Sequence, residues 1–461
     1  MKTDILVIGA GLTGLTTAYT LASKGKNVHI LEQNDRTGGQ ILTHKEDGFV
    51  FESGPNTGSI SNPEVAELFA ELEKISGGKC KLETAPDAAK KRLIWKGDKF
   101  YALPSGLGSA ISTPLFTLGD KFRILGEPWR KKGTNPDESI AELTRRRLGK
   151  SFVDYAVDPF LSGVYAGDPN TLITRYALPK LYNLEQNYGS FVRGAMKKAK
   201  EPKTDRDKLA TKKVFSAEGG LSNITKAMTD YLGEDRITLG IKNLKINPQN
   251  GLWIATFTDK DGNAKSVSAL KVVTTCGSYV LPEILPFIEQ SEMQKINNLK
   301  YAPMVEVSVG IKNTNGLDYN AFGGLVPTCE KKQILGILFP SACFTHRAPQ
   351  GGALFSYFIG GVKHTEMIEK SDSELTTIVE DVFHEMLKFP SSVNPDLIKI
   401  FRHKCAIPQY EITTGERFAA VEKAERDFPG LIIGGNLRDG IGMAHRIKQA
   451  RDIAEKIISE K

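Results

Sequence analysis

At 461 residues, the chain is too long for one hydrophobic core, so two or three domains are expected. Its content of 40% hydrophobic and 25% charged residues is that of an ordinary globular protein, which excludes disordered and fibrous classes. No segment approaches the roughly 20 consecutive apolar residues of a membrane-spanning helix. The short apolar run Ile5–Leu12 is interrupted by glycine, which argues against a signal peptide. These features predict a cytoplasmic protein.

The cysteines, histidines and charged residues limit the kinds of partner that the protein is expected to bind. The five cysteines are scattered and form no Cys-x-x-Cys pair, which is typical of a reducing compartment. The seven histidines show no metal-site spacing, so no metal is expected. The net charge of +7 is densest at residues 197–213, with eight basic and three acidic side chains. This run is interpreted as a solvated loop, with an anionic membrane surface or an anionic substrate as alternatives. No nucleic-acid motif accompanies it, so a nucleic-acid partner is not expected.

In chain order, the first elements predict a βαβ unit. Lys2–Ile8 has the apolar run of a buried parallel strand, and Gly9–Gly14 predicts a turn into a helix that ends near Gly25. Val28–Glu32 predicts the second strand. A glycine-rich loop region follows, and then a helix over residues 63–75.

The middle of the chain predicts interleaved helical and strand regions. Residues 105–205 are expected to be mainly helical, and strands are expected within 237–258, 271–275 and 301–361. The last segment repeats the opening order, with strand Leu431–Ile433, a glycine-rich turn and an amphipathic helix. Both ends of the chain are therefore expected to belong to one nucleotide-binding domain.

The turn after the first strand has the spacing of a dinucleotide site. In the G-x-G-x-x-G pattern, Gly9 permits the tight turn, Gly11 lets the backbone approach a pyrophosphate, and Gly14 lets the helix pack on the strand. The free N–H groups and the dipole of the helix start suit a pyrophosphate. Glu32 ends the second strand, where a carboxylate can accept hydrogen bonds from a ribose. The alternative is a packing turn without a ligand.

Two features favour FAD over NAD. Arg36, Gly38 and Gly39 follow Glu32 closely, so a second glycine loop can cross the pyrophosphate and Arg36 can pair with a phosphate. The C-terminal turn 434–442 is rich in glycine and prepares a second helix start, which would stabilise the negative charge of a reduced flavin. Since no second G-x-G-x-x-G follows a strand, a separate NADPH domain is not expected. The electrons are expected to pass to oxygen or a quinone.

Several blocks carry a family resemblance. Gly9–Gly14, Glu32, Arg36–Gly39 and Glu52–Pro55 together resemble the flavin amine oxidase superfamily. Further blocks resemble its oxygen-dependent protoporphyrinogen oxidase and coproporphyrinogen III oxidase family. They occur in family order at Arg92–Gly97, Ala102–Gly106, Ser162–Asp168, Glu218–Leu221, Phe322–Pro327, His346–Pro349, Phe358–Gly361 and Ala406–Tyr410.

The resemblance implies an α/β fold with a Rossmann-like FAD-binding domain, a β-sheet substrate domain and a helical insertion. We assign residues 1–75, 210–280 and 405–461 to the FAD-binding domain, 80–104 and 281–404 to the substrate domain, and 105–209 to the insertion. In the family this insertion approaches the membrane, so peripheral attachment to the inner face of a membrane is an alternative to a purely cytoplasmic location. The oligomeric state stays open.

The expected cofactor is FAD, bound without a covalent link because no cysteine lies near the C-terminal glycine turn. The residues expected to bind it are Gly9, Gly11, Leu12, Thr13, Gly14, Glu32, Gln33, Arg36, Gly38, Gly39, Gly54, Pro55, Asn56, Thr57, His403, Gly435, Ile441, Gly442 and Met443. His403 stands where the family often has a tryptophan near the flavin. A structural histidine is the alternative to a flavin partner there.

The implied reaction is oxidation of protoporphyrinogen IX to protoporphyrin IX in haem synthesis, with six electrons removed through FAD and hydrogen peroxide released from oxygen. The family places an arginine for a substrate propionate at Arg92, a glycine whose carbonyl faces the reacting centre at Gly163, and a macrocycle clamp at Phe322, Leu325 and Phe358. These residues could instead be a surface arginine, a turn glycine and plain core.

Three other functions stay open. Coproporphyrinogen III has four propionates instead of two and would need more cations, for which Lys90, Lys91 and Arg92 are candidates. A flavin amine oxidase and a non-catalytic protein that binds FAD or porphyrin are more distant alternatives.

Overall fold

The computed structural model describes residues 1–104 and 107–460. The last two residues of the block Ala102–Gly106, which are also the first two of the expected helical insertion, lie outside the described residues. The strands are β1 (Lys2–Ile8), β2 (Val28–Leu31), β3 (Thr43–Glu46), β4 (Phe49–Glu52), β5 (Gly58–Ser59), β6 (Leu82–Thr84), β7 (Arg92–Lys96), β8 (Lys99–Ala102), β9 (Val214–Ala217), β10 (Ile237–Thr238), β11 (Lys242–Gln249), β12 (Leu252–Thr258), β13 (Ala264–Thr274), β14 (Tyr301–Ile311), β15 (Gly323–Leu325), β16 (Gly336–Leu338), β17 (Ala353–Gly360), β18 (Leu397–Pro408) and β19 (Leu431–Ile433).

The helices are α1 (Leu12–Ser23), α2 (Pro63–Ile75), α3 (Leu107–Ser112), α4 (Leu118–Leu125), α5 (Ile140–Arg147), α6 (Lys150–Phe152), α7 (Asp158–Tyr165), α8 (Thr174–Ala177), α9 (Pro179–Tyr188), α10 (Phe191–Ala199), α11 (Asp205–Lys208), α12 (Ser222–Leu232), α13 (Leu281–Ile284), α14 (Gln290–Asn297), α15 (Pro340–Cys343), α16 (Asp372–Glu385), α17 (Thr414–Asp427) and α18 (Met443–Ser459). A π-helical segment, Val153–Val157, joins α6 to α7.

The first sheet contains both ends of the chain. Its strand order is β10-β2-β1-β13-β12-β11, and β19 also pairs with β13. The pairs of β1 with β2 and with β13, and of β13 with β19, are parallel. Alternate residues of β1 enter two cores, because successive side chains of a strand point to opposite faces. Helices α1, α2, α12 and α18 cover one face, and α13, α14 and α17 cover the other. The predicted Rossmann-like α/β class is confirmed.

The second sheet is mainly antiparallel, with strand order β18-β14-β17-β16-β15-β7-β8. Helix α16 packs on one face against Val305, Val307 and Val309 of β14. The alternating residues of β14, Met304 and Glu306, belong to the other face of the sheet, and both line a large cavity.

Residues 107–209 are mainly helical and are held by buried ion pairs. Arg147 of α5 has a fully buried side chain and lies 2.8 Å from Glu127 and 2.5 Å from Glu185. Asp158 at the start of α7 accepts a hydrogen bond from the Thr328 backbone at 2.7 Å and pairs with Lys363. Helix α7 is thereby fixed against the loops of the second sheet.

The domain boundaries predicted from the sequence differ from the sheet boundaries in three places. Helices α13 and α14, within the predicted substrate domain, pack in the core of the first sheet. Strand β18 crosses the predicted boundary at residue 405, and β6 pairs with β9 in a small third sheet. The division into domains itself stays a prediction.

Candidate active site

A cavity of about 1610 Å³ lies between the two sheets. It is larger than the roughly 300–1,000 Å³ of most small-ligand pockets, so it has room for a dinucleotide together with a second large molecule. Every residue predicted for the cofactor and substrate lines this cavity, except Gly14.

Gly14 acts in the packing of α1 on β1 rather than in the cavity wall. A Cβ atom on Gly14 would overlap the carbonyl oxygen of Gly9, so only glycine permits this approach. Gly9 itself has a φ of +99°, which makes the turn between strand and helix. The predicted packing contact is therefore present in the structure.

Two glycine loops cross at the N-terminal end of α1. A Cβ on Gly39, which has a φ of +59°, would lie 3.0 Å from the Cα of Gly11. The Gly38 N–H donates to the Ala10 carbonyl at 2.8 Å, which ties the second loop to the first. The first intrahelical bond of α1 runs from the Leu15 N–H to the Gly11 carbonyl at 2.9 Å, and Gly11 provides no side-chain cap. The first-turn N–H groups can therefore bind an anion such as pyrophosphate.

Glu32 is the buried carboxylate beside this turn. Its Oε2 accepts from the Ala10 N–H at 2.7 Å, and its Oε1 accepts from the backbone and side chain of Asn34 at 2.9 and 2.7 Å. A carboxylate offers about four acceptor positions, so one acceptor position of Oε2 is left for a ligand hydroxyl.

Arg36 lines the cavity but donates to the backbone of its own loop. Its guanidinium bonds the carbonyls of Thr37, Gly39 and Ile41 at 3.1, 2.7 and 3.3 Å. Its main contact in this structure is thus with the loop that crosses Gly11. Pairing of Arg36 with a phosphate stays a prediction.

The C-terminal glycine turn leads into α18. Gly442 precedes this helix and gives no side-chain cap, so the helix start faces the cavity with free N–H groups. Tyr410 holds the turn, because its hydroxyl donates to the Asn436 carbonyl and accepts from the Gly440 N–H, both at 3.0 Å. Tyr410 belongs to the block Ala406–Tyr410, but the sequence did not predict that it holds this turn.

The opposite end of the cavity is apolar. Gly163 lies within α7, so the interpretation as a turn glycine is wrong. A Cβ on Gly163 would meet the terminal methyl of Leu325, so Gly163 and Leu325 lie against each other in the cavity wall. Phe322 and Phe358 line the same end.

Arg92 stands at the edge of this apolar region. Its guanidinium carbon lies 4.8 Å from the centre of the Phe322 ring, a cation–π contact. Within residues 1–104 and 107–460, no carboxylate pairs with Arg92 and no hydrogen bond involves its side chain. Desolvation by the surrounding protein lowers the pKa of Arg92 from its usual value, but arginine stays charged at neutral pH. It is therefore a cation free to bind an anionic ligand.

The His403 imidazole has one nitrogen without a hydrogen-bond partner among the described residues, and it is uncharged. His403 is on β18, where it lies opposite Met304 of β14. Its Nε2 has no hydrogen-bond partner in the described part of the chain. Burial lowers the pKa of His403, although a hydrogen bond with the Ser53 backbone opposes this. The imidazole is neutral near pH 7 and lines the cavity as a polar group.

Some cavity residues were not expected from the sequence. They include Met304, Glu306, Leu338, Cys276, Cys405 and Arg446. Glu306 had a detectable signal, because a charged residue within the apolar run Val305–Ile311 is rarely buried without a function.

A Rossmann-like sheet with a glycine turn, and an apolar chamber continuous with it, define the class of FAD-dependent oxidoreductases. The chain matches the family described as flavin containing amine oxidoreductase over residues 12–440 and belongs to that family. The predictions of an FAD cofactor and of an oxidoreductase are thereby confirmed.

The relatives also agree with the finer resemblance. The chain is 31% identical over 486 residues to protoporphyrinogen oxidase 1, chloroplastic, of Arabidopsis thaliana, across 99% of this chain and 88% of the relative. It is 23% identical over 466 residues to coproporphyrinogen III oxidase of Bacillus subtilis (strain 168), across 98% of this chain and 97% of the relative. A crystal structure from Exiguobacterium sp. 255-15, of a protein provisionally named protoporphyrinogen oxidase, superposes with a TM-score of 0.81 at 22% identity, over 100% of this chain and 99% of that one. The recognised resemblance is confirmed.

We expect Glu32→Ala to weaken FAD binding by about 1.5–3 kcal/mol, because a charge-assisted hydrogen bond to a ribose hydroxyl is lost. This is on the order of a 10- to 150-fold loss of affinity, measurable by titrating the apoprotein with FAD. Asn34→Ala is the matched control, since it removes a neighbour of Glu32 but keeps the carboxylate, and it should lose at most about 1 kcal/mol. A Glu32→Ala protein that keeps its full FAD through extensive dialysis would contradict the assignment.

Proposed function

We propose that the protein oxidises protoporphyrinogen IX to protoporphyrin IX in haem synthesis, with oxygen as the electron acceptor and hydrogen peroxide as the product. The observation that carries this proposal is the unpaired Arg92 at the edge of an apolar chamber. A flat macrocycle with carboxylate-bearing arms fits such a chamber, because the ring can contact apolar side chains while one propionate pairs with the guanidinium.

The distribution of charge supports a substrate with few carboxylates. Among the described cavity residues, the lysines and arginines are Arg36, Arg92, Lys242, Lys245 and Arg446. All except Arg92 belong to the first sheet, its loops or its covering helix. Lys90 pairs with Asp87 at 2.7 Å in an exposed position, and Lys91 is absent from the cavity lining. One free cation on the substrate side, counted over the residues that the structure describes, suits the two propionates of protoporphyrinogen IX better than the four of coproporphyrinogen III.

In the proposed reaction the side chains position the substrate and exclude water. When bound, FAD supplies a ring that accepts hydride from a carbon of the macrocycle. Phe322, Leu325 and Phe358 would hold the macrocycle by apolar contact, and Gly163 would let the ring lie close to α7. Arg92 would set the orientation by binding a propionate away from the reacting carbon. The glycine turn 9–14, Glu32, the loops 36–39 and 54–57, and the turn 435–443 would hold the cofactor.

A non-covalent FAD is part of the proposal. Cys276 and Cys405 are the cysteines among the described cavity residues. Burial raises the pKa of the Cys276 thiol to about 12, so it is not the thiolate that forms a thioether. No cysteine occurs within 434–442, the turn before α18.

The substrate is tested by anaerobic mixing of the FAD-loaded protein with each porphyrinogen. We expect protoporphyrinogen IX to bleach the flavin absorbance with a larger second-order rate constant for flavin reduction than coproporphyrinogen III, because only the ring and two carboxylates need partners. A preference for coproporphyrinogen III would overturn the choice of substrate. If neither porphyrinogen bleaches the flavin, the protein is not a porphyrinogen oxidase.

The Arg92 side chain is exposed at the edge of the chamber, so Arg92→Ala should raise KM for protoporphyrinogen IX by on the order of 1.5- to 5-fold, the equivalent of about 0.2–1 kcal/mol for an exposed ion pair. The value of kcat should change little, since the propionate contact is the same in the ground and transition states. Arg92→Lys should lie between the two, because it keeps the charge but loses the planar fork.

Lys91→Ala is the matched control for this experiment, since Lys91 is the adjacent cation and does not line the cavity. Its KM should stay at the wild-type value. The propionate methyl ester provides the second control. If Arg92→Ala weakens binding of the free acid and of the ester equally, Arg92 does not bind the propionate.

We also propose that residues 107–132 contact an anionic membrane surface. Leu118, Phe122 and Leu125 share one face of α4 and are 70%, 70% and 63% exposed, and Trp129 follows at 76%. Lys121 donates to the Ile111 and Thr113 carbonyls, both at 2.6 Å, so the 66% exposed Ile111 lies beside α4. Such an apolar patch next to the basic segment 130–132 is typical of an interfacial helix.

The structure supports membrane contact less well for the basic run 197–213, which the sequence offered as an alternative candidate. Its Arg206 bonds Glu67 at 2.6 Å and Glu64 at 3.0 Å, so part of its charge is already neutralised by α2. Across the described residues, no helix is both long and apolar enough to span a bilayer. The proposed contact is therefore a peripheral one.

The double change Leu118→Ser/Phe122→Ser should weaken binding to phosphatidylglycerol vesicles by on the order of 10- to 100-fold, because burial of each side chain contributes about 1.5–3 kcal/mol at most. Leu270→Ser is the matched control, since Leu270 is 52% exposed on β13 of the first sheet. Vesicle sedimentation measures both. Equal binding by the wild type and the double variant would contradict the proposed surface.

A further inference from the structure

The cavity wall contains a buried carboxyl group with no cationic partner. Glu306 on β14 is 2% exposed and lines the cavity. Its cross-strand neighbours are the aromatic side chains of Phe358 on β17 and Phe401 on β18. Among the described residues, no lysine or arginine pairs with it. An unpaired buried charge is very costly, so the charged form of this carboxyl is disfavoured.

The hydrogen bonds around Glu306 fix the orientation of its partner. The Asn56 side-chain Nδ2 donates to the Gly54 carbonyl at 3.0 Å and to Glu306 Oε1 at 2.5 Å. A carbonyl can only accept, so the contact with Gly54 shows which end of the amide is the nitrogen. The Asn56 oxygen accepts from the Ser356 hydroxyl at 2.8 Å. Both amide hydrogens and the amide oxygen of Asn56 are therefore engaged.

The hydrogen bond from Asn56 determines which oxygen of Glu306 would carry an acid hydrogen. Oε1 is already an acceptor from Asn56, so a proton on the carboxyl belongs on Oε2. In the described part of the chain, Oε2 has no hydrogen-bond partner, and Glu306 faces the cavity. The carboxyl thus presents an unshared O–H to whatever occupies the cavity.

The charged groups around Glu306 favour its neutral form. Desolvation raises the pKa of Glu306 well above its usual value, the Asn56 hydrogen bond opposes this, and the carboxyl of Glu52 adds a smaller upward contribution. Arg347 is engaged by Glu52 at 3.2 Å and by Ser216 at 2.8 Å, so it does not compensate Glu306. His403, on the same face of the second sheet, is neutral. Burial and the lack of a cationic partner among the described residues therefore both favour the uncharged acid form of Glu306.

We propose that Glu306 is a hydrogen-bond donor to the flavin ring and that it raises the electron affinity of the bound cofactor. This inference rests on the proposed location of FAD in the cavity. Asn56 connects Glu306 to the loop 54–57, which is on the cofactor side of the cavity, whereas Phe358 is on the substrate side. The carbonyl oxygens of a flavin gain negative charge on reduction, so an O–H donor stabilises the reduced state more than the oxidised one. A carboxylate in the same place would have the opposite effect.

The midpoint potential of the FAD-loaded protein tests this role without any porphyrinogen, so a failure of the proposed substrate would not affect it. Glu306→Leu should make two-electron reduction about tenfold less favourable, which corresponds to about 30 mV for this couple. Glu306→Gln should stay close to the wild type at pH 7, because Asn56 keeps the amide oxygen as its acceptor and leaves the amide N–H facing the cavity. Ser308→Ala is the matched control on the same face of β14 and should leave the potential unchanged.

A second measurement keeps the proposal testable if Glu306→Leu fails to fold or to bind FAD. The infrared difference spectrum between reduced and oxidised protein should contain a protonated carboxylic C=O band that shifts on reduction. This band should persist in Ser308→Ala and vanish in Glu306→Gln. Absence of the band from the wild type, or a Glu306→Leu potential equal to the wild-type value, overturns the proposal. So does a Glu306→Gln potential as low as that of Glu306→Leu.

Discussion

The contact between α1 and β1 is the constraint on which the rest of the cavity depends. Because Gly14 has no side chain, the first turn of α1 can rest on the Gly9 carbonyl, and the start of the helix then points into the space between the two sheets. A side chain at Gly14 would displace the helix and with it the free N–H groups that can bind a pyrophosphate. The crossing of Gly11 by Gly39 depends on the same placement, since that second loop is tied to Ala10, immediately before the helix.

Polar contacts between distant segments tie the second sheet to neighbouring elements of the chain. The buried pair of Glu52 with Arg347 joins the end of β4 to a loop of the second sheet, and Arg347 also bonds Ser216 of β9. Gln409 donates to the Tyr165 carbonyl at 2.8 Å, which connects the end of β18 to α7. Removing one partner of a buried ion pair costs about 3–5 kcal/mol, so the pair of Glu52 with Arg347 is a strong constraint on how these segments pack. Four of the blocks that carry the family resemblance contribute to these contacts: Glu52–Pro55, Ser162–Asp168, His346–Pro349 and Ala406–Tyr410.

These contacts leave a cavity whose polar groups are mainly paired with the protein itself. Arg92 and Glu306 are two of the exceptions among the described residues. Arg92 is a cation without a carboxylate partner among the described residues, and Glu306 is an acid without a cation. Because water is largely excluded around a bound macrocycle, electrostatic interactions there are stronger than in bulk solvent. In the proposed function, Arg92 would be the charged contact for the substrate and Glu306 the neutral donor to the cofactor, while the chemistry belongs to the flavin.

The sequence by itself determined the βαβ opening, the return of the chain end to the same sheet, and the residues around the glycine turn. These features depend on local spacing, because the helix and strand periods and the glycine positions are readable within about 35 residues. Helix α2 over Pro63–Ile75 was predicted for the same reason. Membership of the family followed from blocks distributed along the chain.

Only the tertiary structure decided which strands pair and what their side chains meet. Strand β18 was not predicted, since its mixed sequence becomes a strand through pairing with β14. The packing of α13 and α14 on the first sheet likewise depends on contacts that no local pattern records. Glu306 stands 250 positions from Asn56, and only the folded chain shows that its carboxyl is buried without a cationic partner among the described residues and lines the cavity. The free state of Arg92 also depends on the folded chain, because pairing is a property of neighbours in space.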